Sequence, residues 1–273
     1  MALVSKILAS GRGWRVLDVL CDAGPGDRPF EERHTDACIA LVTAGHFHYR
    51  TGEGSALLIP GAVMLGNDGA CFECGHEHGR GDRCLSFKLA PDFVEDVAAD
   101  IRRVRSTTFR APRLPPTASL APIIGAAQAA RDDLDTLAFE ELAVRLTGSV
   151  LAAQQDLRPT PPTKSRELRR VSEVLRWMEN DARDALSLER LADLACMSRY
   201  HFLRTFRKVT GVTPHQYMLR RRLTKACAQL RHSRSPIASV AADAGFGDVS
   251  TFNRQFLRIV GMTPSAFRKQ SEA

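Results

Sequence analysis

The last hundred residues carry one pattern twice. At an offset of 50, LADLACMSRYHFLRTFRKVTGVTP (Leu191 to Pro214) lies over AADAGFGDVSTFNRQFLRIVGMTP (Ala241 to Pro264). Identities fall at Ala192/Ala242, Asp193/Asp243, Phe202/Phe252, Arg204/Arg254, Phe206/Phe256, Gly211/Gly261, Thr213/Thr263 and Pro214/Pro264. A repeat on this scale is one supersecondary unit used twice. Each copy reads as two short helices around a tight turn. In the first, Ser187 is the N-cap and Leu188, Leu191, Ala192 and Ala195 recur at helical spacing. Cys196 and Met197 make the turn, Ser198 caps a second helix that buries Phe202, Phe206 and Val209, and Gly211 supplies a left-handed stop. The second copy offers Ile237, Val240, Ala241 and Ala244, a turn at Phe246 and Gly247, Asp248 as cap, then Phe252, Phe256 and Ile259 before Gly261. Both copies are helix-turn-helix units, about 187–211 and 237–261.

Residues facing away from the buried stripes point to a partner. At 100° per residue Arg204 lies about 200° around the helix from Phe202, on an outward face with Arg199, Tyr200, Leu203 and Arg207. The second helix presents Ser250, Asn253, Arg254 and Arg258. Arginine matches guanine O6 and N7 in the major groove, and one stands at the same place in both helices. Charge agrees with this: Ser165 to Ala273 holds 20 Lys+Arg against 10 Asp+Glu, a net +10, while the rest of the chain is at −3. Positive charge confined to one end suits a polyanion, and double-stranded DNA is the expected partner. Between the units, PHQYMLRRRLTKACAQLRH (Pro214 to His232) reads as one long helix, with Arg220, Arg221, Arg222 and Lys225 available for phosphates. Such a spacer would let one chain address two successive major grooves, ~34 Å apart.

From about Glu167 to Lys269 these residues resemble the DNA-binding domain of the AraC/XylS family of bacterial transcription regulators. The likeness is carried by SPIASVAADAGFGDVSTFNRQFLRIVGMTPSAFRK, which holds the I-x-x-V-A-x-x-x-G-F, F-x-R-x-F and G-x-T-P-x-x-F-R patterns in register. The resemblance implies recognition helices over 198–209 and 249–260. It implies base reading by Tyr200, Leu203 and Arg204, and by Val249, Ser250, Thr251 and Arg254, with RNA polymerase as a further partner and homodimers as the assembly. Leu203 sits where a polar reader is more usual, so methyl-type contacts are expected there.

Upstream, RPTPPTKSR (158–166) carries three prolines and no core-forming side chain, the composition of a linker. Residues 1–112 read as short strands with glycine punctuation, including the RTGEGS turn, the GSALLIPG run and RCLSFKL. This part resembles the cupin-like sensor barrel found before the AraC-type module. Residues 113–157 read as two helices, with apolar positions including Leu137, Phe139, Leu142, Leu146, Val150 and Leu151 suited either to dimerisation, the preferred reading, or to packing on the barrel. The expected fold class is therefore α+β in two domains, a barrel with a helical segment and an all-α DNA-binding domain over 167–273.

Two further constellations carry chemistry. CFECGHEHGRGDRC offers Cys71, Cys74, His76, His78 and Cys84 within fourteen residues. Cys71-x-x-Cys74 has the bite that tetrahedral zinc uses. A thiol switch favoured by Arg80, Arg83 and the histidines and opposed by Glu73, Glu77 and Asp82, and a plain hairpin with small buried cysteines, are the alternatives. The second is a metal-dependent cupin enzyme fused to a DNA-binding module. His46 and His48 share a strand face and Glu53 follows, but Leu65 stands where a further histidine belongs. The incomplete ligand set argues for a regulator rather than an enzyme, modulated by an unidentified small-molecule or metal effector. No run of eighteen apolar residues is present, and Lys6, Arg12, Arg15 and Asp18 interrupt the N-terminal stretch, so a cytoplasmic protein with no membrane association is expected.

Overall fold

The computed structural model describes residues 3–76, 81–102, 104, 106–133, 135–155, 164–180 and 187–271. The N-terminal half is built from β1 (Leu3–Gly11), β2 (Trp14–Cys21), β3 (Phe30–Arg33), β4 (Ala37–Gly45), β5 (Phe47–Thr51), β6 (Gly54–Leu58), β7 (Val63–Gly66), β8 (Cys71–Gly75), β9 (Asp82–Leu89) and β10 (Arg113–Leu114). One sheet has the order β1-β2-β9-β4-β7-β10 and the other β3-β8-β5-β6, with all pairings antiparallel. The two sheets face each other across a shared core, the barrel arrangement that the resemblance implied. β4, ACIALVTAG, is buried along seven consecutive residues because the six-stranded sheet is covered on both faces. Cys38, Ala40 and Val42 point between the sheets, whereas Ile39 and Leu41 belong to a second core beneath helices.

Those helices are α1 (Pro91–Ala99), α2 (Ala121–Asp133) and α3 (Thr136–Gln154). Phe139, Leu142, Leu146, Val150 and Leu151 of α3 are buried against Leu85, Phe87 and Leu89 of β9, so the chain's own barrel takes the face on which dimerisation was expected. Leu137 stays exposed. The segment 113–157 also does not begin as a helix, since Arg113 and Leu114 pair with Met64 and Val63 of β7 as a sixth strand.

The C-terminal half comprises α4 (Ser165–Asn180), α5 (Leu188–Leu194), α6 (Arg199–Thr210), α7 (Pro214–His232), α8 (Ile237–Asp243), α9 (Val249–Val260) and α10 (Pro264–Ser271). Helix α4 takes in Ser165 and Arg166, which the composition had assigned to the linker, and residues 158–163 lie outside the described structure. The caps follow the sequence signals. Ser187, Ser198, Thr213 and Asp248 each accept a bond from the backbone N–H three residues on, and Gly211 and Gly261 end α6 and α9 at φ 85° and 89°.

Candidate nucleic-acid interface

Each helix-turn-helix unit is held by a small aromatic core. Phe202 and Phe206 are fully buried in the first unit, and Phe252 and Phe256 in the second, with ring centroids 5.5 and 5.4 Å apart. The opposite faces are accessible. Arg199, Tyr200, Arg204 and Arg207 are exposed and Leu203 half-buried on α6, while Val249, Ser250, Arg254 and Arg258 are exposed and Thr251 half-buried on α9. Arg204 and Arg254 both stand six residues after their N-caps, so they occupy equivalent positions. The Thr251 amide and hydroxyl hold the Asp248 carboxyl below its ordinary range, giving α9 a charged cap beside its outward face.

The repeat is out of register by one residue before the recognition helices. The Met197 amide donates to the Ala192 carbonyl and the Phe246 amide to the Ala241 carbonyl, so Ala192 corresponds to Ala241, not to Ala242 as the offset of 50 aligned them. Ala242 is exposed where Ala192 is buried. The second turn contains one residue more, Gly245-Phe246-Gly247 against Cys196-Met197. Cys196 occupies with φ 49° the left-handed position that Gly245 fills at φ 81°.

The arginine-rich helix departs from expectation. Arg220 donates to the Pro116 carbonyl, Arg221 to the Glu179 carbonyl and Lys225 to the Asp243 carbonyl, and Arg222 is also engaged. These side chains fix α7 to its neighbours instead of standing ready for phosphates.

The two halves meet extensively. On the outer face of β5, the His46 Nδ1–H donates to Glu179 Oε1 of α4 at 3.1 Å, and His48 Nε2 lies 3.3 Å from Ser172 Oγ. Tyr217 of α7 donates to the same Glu179 oxygen. Burial raises the Glu179 carboxyl, but the bonds from His46 and Tyr217 and the Arg221 charge outweigh it and hold the group ionised. His46 and His48 do share a face, as their spacing required, but that face is turned to α4 and away from the barrel interior. Glu53 accepts from Asn67 in the exposed turn, and Leu65 packs under the helices. The ligand set of a cupin enzyme is therefore not assembled from these residues.

Arg113 makes a second bridge. Its Nη1 donates to the Leu57 carbonyl of β6 at 2.7 Å and to the Thr210 carbonyl at the end of α6 at 3.1 Å, and burial lowers its pKa to about 10. Beside it a cleft of about 1200 Å³ is lined by Glu53, Ser106, Arg110 and Gln154 on one side and by Tyr200, Leu203, Arg204 and Arg207 on the other. The outward face of the first recognition helix thus looks into a cleft shared with the N-terminal half.

The cysteine-rich stretch is divided by the strand that carries it. Cys71 and Cys74 lie three apart on β8, so they point to opposite faces; Cys71 is exposed and Cys74 buried. The Cys71-x-x-Cys74 zinc bite does not form. His76 is buried and bonded through Nε2 to Asp82, Cys84 is buried, and His78 lies outside the described residues. Burial pushes the Cys74 and Cys84 thiols well up, reinforced by the Asp82 charge, which keeps both as thiols and opposes a thiolate switch there. A third buried cysteine, Cys21, pairs across the sheet with Asp82 and was missed, because it lies 61 residues from Asp82 in sequence.

Two buried, aromatic-cored helix-turn-helix units with basic outward faces define a double helix-turn-helix nucleic-acid-binding protein. A family model described as a helix-turn-helix domain matches residues 191–270. The Transposon Tn10 TetD protein of Escherichia coli is 37% identical over 99 residues, covering 36% of this chain and 72% of that protein. The HTH-type transcriptional activator RhaS of Escherichia fergusonii is 34% identical over 104 residues, 38% of this chain and 37% of its own length. Among solved structures, the DNA-binding domain of AdpA in complex with a target DNA is 32% identical over 36% of this chain and 89% of that one, with a TM-score of 0.34. The chain belongs to the AraC/XylS family. It spans only about a third of the length of relatives such as RhaS, and the matched part is the C-terminal half.

Proposed function

We propose that the chain is a cytoplasmic transcription regulator that binds double-stranded DNA with α6 and α9 in successive major grooves and answers to a signal received by its N-terminal half. The carrying observation is the pair Arg204 and Arg254, exposed at equivalent positions of two recognition helices. Each is suited to a guanine edge, with Tyr200, Leu203, Val249, Ser250 and Thr251 contributing shape and methyl contacts, and Arg199, Arg207 and Arg258 meeting phosphates. The cleft beside α6 supports the regulatory part, because a ligand or movement on the N-terminal side changes the access of the first helix to a groove. RNA polymerase and a second copy of the chain complete the assembly.

Selection of sites by the full chain from a random duplex pool gives the test. Replacing Arg204 or Arg254 by Ala should relax the selected sequence at one position each, at a cost of about 1–3 kcal/mol. Unchanged affinity and unchanged preference in both variants would refute this docking.

A further inference from the structure

At one end of the barrel, the end of β2 and the adjacent ends of β8 and β9 deliver different metal donors to one point. Cys21 closes β2 and stands directly across from Asp82, the first residue of β9, so the two side chains share a face. His76 follows β8, and its Nε2 lies 3.0 Å from Asp82 Oδ2. The cysteine sulfur, the imidazole nitrogen and the carboxylate oxygen all lie within 4.8 Å of one another. Their residues are 3%, 4% and 9% exposed. Cys84 Sγ donates to Asp82 Oδ1 at 3.7 Å.

We propose that Cys21, His76 and Asp82 form a binding site for a zinc-type divalent ion, with solvent completing its four-coordinate shell. Thiolate, imidazole and carboxylate form a set of soft, borderline and hard donors in which sulfur and nitrogen outnumber oxygen, which suits zinc better than calcium or magnesium with their all-oxygen shells. Loading the ion takes up the Cys21 sulfur with release of its proton, shifts the proton of neutral His76 from Nε2 to Nδ1, and replaces the hydrogen bond between His76 and Asp82 with a bond from each to the metal. This site is distinct from the Cys71-to-Cys84 cage suggested by spacing, because Cys71 points outward and Cys21 enters from another strand. It also lies close to the DNA-binding half: His76 stacks on Phe47 at 5.8 Å, and the residues flanking Phe47, His46 and His48, bond to α4.

The test uses tag-free full-length chain, stripped with a chelator and titrated with cobalt(II) in the absence of DNA. The expected result is one ion per chain with tetrahedral ligand-field bands and a thiolate-to-cobalt charge-transfer band. Cys21→Ser and Asp82→Asn should each weaken binding by more than ~10-fold, with the thiolate band reduced in the first; Cys71→Ser should leave both unchanged. Circular dichroism of each variant establishes that it is folded, and Asp82→Asn preserves side-chain shape should Cys21→Ser unfold. Failure of the wild-type chain to bind, an octahedral spectrum without the thiolate band, or loss of binding in Cys71→Ser but not in folded Cys21→Ser or Asp82→Asn would overturn the proposal. The outcome is independent of DNA recognition, which is measured separately.

Discussion

His34 is an imidazole whose titration is set by its burial. The Tyr49 hydroxyl donates to the Leu65 carbonyl, so towards His34 Nε2, 2.8 Å away, it is an acceptor and the Nε2 carries the proton. The ring stacks on Phe72, and among the described residues its Nδ1 is buried without a hydrogen-bond partner. Charging the ring would bury a second N–H with nothing to receive it. Burial, aided by the Lys88 charge, lowers its pKa to about 4. The unfolded chain titrates this group near 6.5, so between those values the unfolded state holds a proton that the native state rejects. Stability is then fully present above about pH 6.5 and is lost as pH falls towards about 4, with a slope approaching ~1.4 kcal/mol per pH unit. Urea midpoints measured from about pH 7 down to about pH 5 should fall more steeply in the wild type than in His34→Gln. Parallel profiles would show that another group governs the acid limb.

At the scale of elements, the caps and the helix-turn-helix units were legible because their signals are local. Ser198, Asp248 and the glycines at 211 and 261 announce helix ends within a few residues. The packing of α4 was not legible. Its polar partners Ser172 and Glu179 acquire their roles only from His46, His48 and Tyr217, elements away in sequence. For the same reason Cys21 was invisible next to a conspicuous cysteine run, and Cys71 was misread: spacing measures distance along a strand, not the side to which alternate residues turn. The longer turn of the second unit hid behind chance identities at Ala192/Ala242 and Asp193/Asp243. Gly211 carries a consequence for stability. It ends α6 at φ 85°, and a Cβ there would overlap the Pro115 ring. Gly211→Ala should lose more than the roughly 1–2 kcal/mol of left-handed backbone strain alone in urea unfolding. Gly247→Ala, where the added carbon meets open space, should stay within about 0.5 kcal/mol. A loss in Gly211→Ala no larger than the roughly 1–2 kcal/mol of backbone strain would show that the contact with Pro115 is not formed.

Across the whole molecule, the boundary between the N-terminal half and the helix-turn-helix half is not a boundary between cores. One apolar cluster runs from Cys38, Tyr49 and Leu57 of the barrel through Val171, Val174, Leu175 and Met178 of α4 to Phe202 and Phe206 of the first unit. The second unit keeps a core of its own around Phe252 and Phe256. The two tryptophans report on this arrangement, Trp14 from the barrel and Trp177 from α4. Fluorescence-detected unfolding of Trp14→Phe and Trp177→Phe, each leaving one reporter, should give coincident midpoints once each variant's overall stability is matched by circular dichroism. Separate transitions within either variant would mean that the halves unfold independently. The connection after β10 and the helix α2 that follows it also touch both units: Pro115 abuts the end of α6 and Pro116 receives Arg220, while in α2 Pro122 abuts the end of α9 and Asp132 pairs with Arg231. A shift of this short proline-bearing span would alter the distance between the two recognition helices while leaving the side chains of each untouched. On DNA, a shift of that kind would be read as operator spacing, counted in base pairs between half-sites.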